Sequence, residues 1–169
     1  LAARVPAPAP GGVTVEVAVT AAIDRGWHIY GTRLSEELGI PTSFTAELPD
    51  GWALAGAVIE SEPHERFDPT MEAMMIEHEK EARFALPVSI PATAAPGEYA
   101  VRGSFTVQAC DANACLMPDT LSFTFPITVI AGTGEVPVEE KEGLVQEKQV
   151  EPDHPVRWRG AGVALVEEG

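Results

Sequence analysis

Hydrophobic and polar positions alternate with a period of two over much of the chain. Val13, Val15, Val17 and Val19 interleave with Thr14, Glu16, Ala18 and Thr20. This predicts a strand with four valines on one face. Further β-rich runs follow at 26–30, 42–48, 53–59, 82–90, 99–109 and 121–130. Turn signals separate them: Asp24-Arg25-Gly26, Pro49-Asp50-Gly51, Pro96-Gly97 and the stretch Asp111 to Asn113. Short strands with such breaks, and no strand–helix alternation, predict an all-β fold, an immunoglobulin-like antiparallel β-sandwich. The segment Glu72–Lys80 holds good helix formers, with Met71, Met74, Met75 and His78 near helical spacing. It is read as a strand whose local propensity is overridden by pairing.

Composition divides the chain into three. Residues 1–12 are Ala/Pro-rich and are expected to form a flexible lead-in. Residues 13–131 are expected to form the folded body. Residues 132–169 hold nine acids and four bases, a net −5, with little aliphatic periodicity. They read as an acidic linker or tail, ordered only if it docks on something.

The chain of 169 residues is 45% hydrophobic and 22% charged, enough for one domain with a packed core. Its 26 acidic and 11 basic residues leave a net charge of −15. That argues against nucleic acid and against an anionic membrane surface as partners. No apolar run approaches the roughly 18 residues needed to span a bilayer, so direct membrane insertion of this chain is not expected.

The one reactive constellation is Cys110-Asp-Ala-Asn-Ala-Cys115. Lying between two long β runs, it is expected to span a hairpin turn. Opposed Cβ atoms there sit roughly 4.5–5.5 Å apart, near the roughly 3.5–4.5 Å of a disulfide. As a staple such a small ring stabilises only by about 2 kcal/mol, and the backbone ladder already closes it. Spacing alone leaves three readings open: a structural bridge, a redox-active pair, and a free or metal-bound pair. No second Cys/His pair completes a zinc set, so neither metal nor cofactor is expected. There is also no C-x-x-C with a following helix to acidify a thiol. No Lys or Arg occurs between Arg102 and Lys141, while Asp111 and Asp119 flank the pair. The thiols are therefore expected to titrate near or above the ordinary value of about 8.5.

Several stretches resemble one family in order along the chain. Val107-Gln-Ala-Cys-Asp-Ala-Asn-Ala-Cys-Leu-Met-Pro118 is similar to the "YQxC…CxPP" signature of the N-terminal periplasmic domain of the thiol:disulfide interchange protein family DsbD. Gly26-Trp-His-Ile-Tyr30, Ile40-Pro-Thr42, Leu48-Pro-Asp-Gly-Trp52, Pro63-His-Glu-Arg-Phe-Asp-Pro69 and Phe84-Ala-Leu-Pro-Val88 resemble other blocks of that family. Val107 departs from the family's Tyr, and Met117 from the first of its two prolines. The membrane-embedded and C-terminal thioredoxin-like domains of the family have no counterpart in these 169 residues. The chain is thus expected to be an excised N-terminal domain with part of its linker, or a stand-alone relative.

The resemblance implies an immunoglobulin-like periplasmic domain whose parent is anchored in the inner membrane. It implies electrons received from the parent's membrane and thioredoxin-like domains. They would pass to oxidised thioredoxin-like periplasmic proteins of the disulfide isomerase or cytochrome c maturation type. Cys115 would form the mixed disulfide and Cys110 would resolve it, as in ordinary exchange chemistry. Phe67, with Asp68 and Met71, would cap the sulfurs, and Glu65 and Asp68 would raise a thiol pKa if close. The alternatives are a secreted β-sandwich binding module with an inert disulfide, and a periplasmic redox chaperone that moves no electrons. Elsewhere, Trp27 and Tyr30 are expected to pack, His28 to be a structural histidine, and Met71, Met74 and Met75 to fill core. His64 is placed beside the expected cap, where it could tune the site, and His78 and His154 are read as isolated and solvated.

Overall fold

The computed structural model describes residues 3–5, 9–131, 141–143 and 155–165. Its strands, in chain order, are β1 (Ala3–Val5), β2 (Ala9–Pro10), β3 (Thr14–Ile23), β4 (His28–Tyr30), β5 (Ser43–Glu47), β6 (Ala53–Leu54), β7 (Ile59–Glu60), β8 (His64–Asp68), β9 (Ala73–His78), β10 (Glu81–Ser89), β11 (Gly97–Val107), β12 (Ala109–Cys110), β13 (Asp119–Ile130), β14 (Lys141–Gly143) and β15 (Val156–Leu165). Two sheets form an immunoglobulin-like sandwich. One runs β15-β3-β10-β6 with β7 also on β10, and the other runs β2-β13-β11-β5. A third sheet, β12-β4-β9-β8, stands at one end, and β1 pairs with β14.

The alternation read from the sequence builds the core. On β3, Val15, Val17 and Val19 are buried while their neighbours are only partly so. Phe84, Leu86 and Val88 of β10 join them on the same sheet. From the facing sheet come Val101 and Phe105 of β11 and Leu121, Phe123, Phe125, Ile127 and Val129 of β13. Phe44 of β5 bridges the layers, with its ring 5.1 Å from Phe84 and 4.2 Å edge-on from Phe105. Such pairs add directional attraction to the area they bury.

Gly103 is required by this packing. It lies between β5 and β13, opposite Ala46 and Phe123. A side chain there would run into the Thr45 carbonyl oxygen and the Phe123 ring.

The segment Glu72–Lys80 is indeed a strand over Ala73–His78, and its pairing with β4 and β8 explains why helix propensity loses. The run expected over 53–59 instead splits into β6 and β7, which touch β10 at separate places. Ala9–Pro10, within the expected flexible lead-in, pairs parallel with β13, and Ala9 is fully buried. Within the expected acidic linker, β15 runs antiparallel along nearly all of β3, with a register shift between Arg159 and Ala161. Val156 at its start is buried in the core.

His78 corrects the expectation of a solvated residue. It is buried, and its Nε2 lies 3.0 Å from Glu60 Oε2. Glu60 also accepts hydrogen bonds from the Thr32 amide at 3.0 Å and the Thr32 hydroxyl at 2.9 Å. Isolation in sequence gave no hint of a partner 18 residues away across strands. His154 lies outside the described residues.

Burial alone would raise the Glu60 pKa, but the bonds from His78 and Thr32 outweigh it and hold the group at about 2. A carboxyl lowered on folding stabilises the protein above its unfolded pKa, and that contribution disappears as pH falls through the folded value. In melting experiments, Glu60→Gln is therefore expected to be less stable than the parent by on the order of 2–3 kcal/mol near neutral pH. The gap should narrow between about pH 4.5 and pH 2; a gap independent of pH would exclude this ionisation as its source. Gly103→Ala is expected to lower stability by about 1–3 kcal/mol through overpacking, measured by denaturant unfolding.

Candidate active site: a disulfide at the mouth of a polar cleft

Beyond Val107 the β11–β13 hairpin leaves its own sheet. Gln108 intervenes, and Ala109–Cys110 pair with β4 so that Cys110 stands opposite His28. The chain then turns back and Cys115 meets Cys110 in a single antiparallel bridge. Asp111 builds this turn, its carboxylate accepting hydrogen bonds from the amides of Asn113 at 2.7 Å and Ala114 at 2.8 Å. These same bonds hold its pKa below the usual carboxylate range. The Asp111 amide donates to the Ala114 carbonyl, and the Leu116 amide to the Ala109 carbonyl.

A disulfide joins Cys110 and Cys115. The two sulfurs face different surroundings. Cys110 is 1% exposed and packs with Tyr30, Leu34 and Met75. Cys115 is exposed, followed by the exposed Leu116 and by Met117, 85% exposed.

The register of the third sheet determines what surrounds them. Side chains alternate faces along a strand, and paired residues share a face. Cys110 pairs with His28, Tyr30 with Glu77, Glu77 with His64, Arg66 with Met75, and Asp68 with Ala73. His28, Tyr30, Glu77, Met75, Arg66 and Asp68 thus share the sulfurs' side, where they line a cleft of about 580 Å³. Ile29 and His78 occupy the opposite face, and Ile29 joins the sandwich core.

Tyr30 reaches the disulfide from β4. Its hydroxyl lies 3.5 Å from Cys110 Sγ and 3.9 Å from Cys115 Sγ. A bridged sulfur carries no hydrogen, so the phenol is the donor. Burial, and then the nearby Glu77 charge, push the Tyr30 pKa up and keep the phenol protonated. Glu77 is 2% exposed and accepts a hydrogen bond from Arg66 Nη2 at 3.0 Å. His28 Nε2 is 3.6 Å from the same oxygen.

Of the residues expected to cap the site, Asp68 and Met71 line the cleft. Phe67 does not. It alternates with Arg66 and Asp68, pairs with Met74, and is 57% exposed on the other face of β8. Asp68 organises the β8–β9 turn, its carboxylate accepting hydrogen bonds from the amides of Thr70 and Met71, and these hold its pKa down. Of the three methionines expected in the core, Met75 is buried, while Met71 and Met74 are exposed. His64 falls on β8, across the ladder from Glu77.

Local sequence missed Arg66, Glu77, His28 and Tyr30 as neighbours of the sulfurs. No base lies near the cysteines in sequence, yet Arg66 reaches the cleft from β8. The i, i+2 spacing of His28 and Tyr30 was the available signal, since alternation places both on one face of a strand. Among the described residues no cluster of His, Cys, Asp and Glu could hold a metal ion, and no helix is long and apolar enough to cross a membrane.

Comparison with known proteins gives one family. No curated protein sequence matches the chain. Among solved structures, the N-terminal domain of DsbD from Neisseria meningitidis in its reduced form is similar at 19% identity and a TM-score of 0.45, covering 73% of this chain and 87% of that one. The model of the family described as "Thiol:disulfide interchange protein DsbD, N-terminal" matches residues 2–127, most of the sandwich and both cysteines. The chain therefore belongs to the DsbD N-terminal domain family.

Proposed function

We propose that this domain performs thiol–disulfide exchange as a protein-disulfide reductase in the periplasm, cycling between a Cys110/Cys115 dithiol and the disulfide. The observation that carries this reading is the asymmetry of the pair, with one sulfur open to a partner and the other buried beside a phenol. In the reducing direction, the Cys115 thiolate attacks one sulfur of a partner's disulfide. The partner's S–S bond breaks and its electron pair leaves on the second partner sulfur, which takes up a proton. Cys110, deprotonated, then attacks Cys115 Sγ and the mixed disulfide breaks. The partner departs as a dithiol and the Cys110–Cys115 bond is restored, so two electrons and two protons have moved to the partner.

Electrons return by the same steps in reverse from a thioredoxin-like dithiol of the parent protein, itself served by a membrane domain. The accepting partners are oxidised thioredoxin-like proteins of the disulfide isomerase or cytochrome c maturation type. A short, exposed attack point suits partners that present their own disulfide at a surface. Asp68 and Met71 shield the sulfurs at the cleft wall, and Phe67 offers its ring to a docking partner from the outer face of β8.

Cys110→Ser is expected to accumulate a mixed disulfide between Cys115 and an oxidised thioredoxin-like protein, visible on a non-reducing gel. Cys115→Ser should accumulate none. A parent pair with a reduction potential far below about −300 mV would instead mark an inert structural bond. After reduction, brief alkylation followed by peptide mass spectrometry should label Cys115 at least about tenfold faster than Cys110, since access limits thiol reactivity. Equal labelling would remove the basis for assigning attack to Cys115.

A further inference from the structure

Three charged or titratable side chains on the cleft floor are not used by the exchange steps themselves: Glu77, Arg66 and His28. Glu77 is the unusual one. It is a carboxylate with 2% exposure, and burying a charge is costly without a partner. It has Arg66 Nη2 at 3.0 Å, from a guanidinium that is itself about half exposed, and His28 Nε2 at 3.6 Å. It also stands directly across the ladder from Tyr30, whose hydroxyl touches both sulfurs. His28 in turn stands across the ladder from Cys110, with its ring 5.6 Å from the Tyr30 ring.

We infer that Glu77 is a positioning residue that governs the ionisation of Cys110 through Tyr30, and that Arg66 opposes it. This rests on the exchange reading above. When a donor thiolate attacks Cys115 Sγ, the S–S bond breaks and its electron pair settles on Cys110 Sγ. That charge appears in a buried place beside a phenol whose position is set opposite a carboxylate. Glu77 repels it and favours its prompt protonation, while Tyr30 donates a hydrogen bond to it and Arg66 offsets the carboxylate.

The remaining charged or titratable groups on this side are His64 and Asp68 from β8, Glu79 after β9 and Asp111 of the cysteine turn. Asp68 and Asp111 are committed to backbone amides at their own turns. Glu77 alone is both buried and placed opposite the phenol.

The test uses the full chain carrying Cys115→Ala, with the Cys110 pKa read from the ultraviolet absorbance of its thiolate. Glu77→Gln retains the shape and a hydrogen-bonding oxygen for Arg66, and is expected to lower the Cys110 pKa by about one unit, a roughly tenfold larger thiolate fraction at neutral pH. Arg66→Gln is expected to shift it upward, with a several-fold smaller thiolate fraction, and Arg66→Lys to restore most of the parent value. Opposite signs are the signature of charge, because a merely structural defect would move both variants alike. Shifts of the same sign, or no shift in Glu77→Gln with an unchanged melting profile, would overturn the inference. Should Glu77→Gln unfold, Arg66→Gln and Arg66→Lys decide alone: an unchanged pKa in both rejects it. The Cys110→Ser trapping experiment is independent. If trapping fails while these pKa shifts appear, exchange is refuted and the electrostatic link stands; if trapping succeeds without them, only the link falls.

Discussion

Strict alternation along four short strands governs the chemistry of this molecule. In the β12-β4-β9-β8 sheet every second side chain faces the sulfurs, and cross-strand pairing passes that parity from one strand to the next. Cys110 fixes His28, His28 fixes Tyr30 two residues on, Tyr30 fixes Glu77, and the β8–β9 register then turns Arg66 and Asp68 inward. A slip of one residue in the β12–β4 or β4–β9 ladder would bring Ile29 or His78 onto the polar cleft floor and send the functional groups toward the core. Because the other face of the same sheet contributes Ile29 to the core, such a slip would also bury polar groups. Packing on one side of the sheet thereby enforces chemistry on the other.

The sandwich supplies the rigidity behind that sheet. Its aromatic layer, from Phe44 through Phe105 to Phe123 and Phe125, leaves so little room that residue 103 must be glycine. From this platform β11 and β13 extend outward, and the turn between them carries the cysteines. Asp111 closes the turn without any contribution from the sulfurs. The disulfide bridges a loop whose ends are already held together, so opening it leaves the hairpin's other constraints intact. That suits a bond meant to be broken and remade.

The strand pattern was legible wherever alternation was long. Val15, Val17 and Val19, and the apolar positions of β10, β11 and β13, declared both their elements and their buried face. The cysteine pair and its turn were legible too, because C-x4-C across Asp-Ala-Asn is a local signal. The surroundings of the pair were not. Arg66, Glu77 and Tyr30 come from three other strands, and the facts that join them are registers, which no local window contains. Phe67 illustrates the same limit, since its place near the cysteines was inferred from a resemblance while its direction depends on the parity of β8. His78 looked isolated because its partner Glu60 lies on a two-residue strand that the run read over 53–59 stopped short of.

The strand Val156–Leu165 lies against the outer side of β3 along almost its whole length. Without it, the backbone donors and acceptors on that side of a ten-residue, valine-rich strand would be left open. An edge of that length and composition is a template onto which a second polypeptide can add itself. A fragment cut at the end of β13 would thus gain a self-associating border and lose the buried Val156 side chain, although both cysteines and the cleft would still be present. The sheet framework thus extends well past the segment that holds the chemistry.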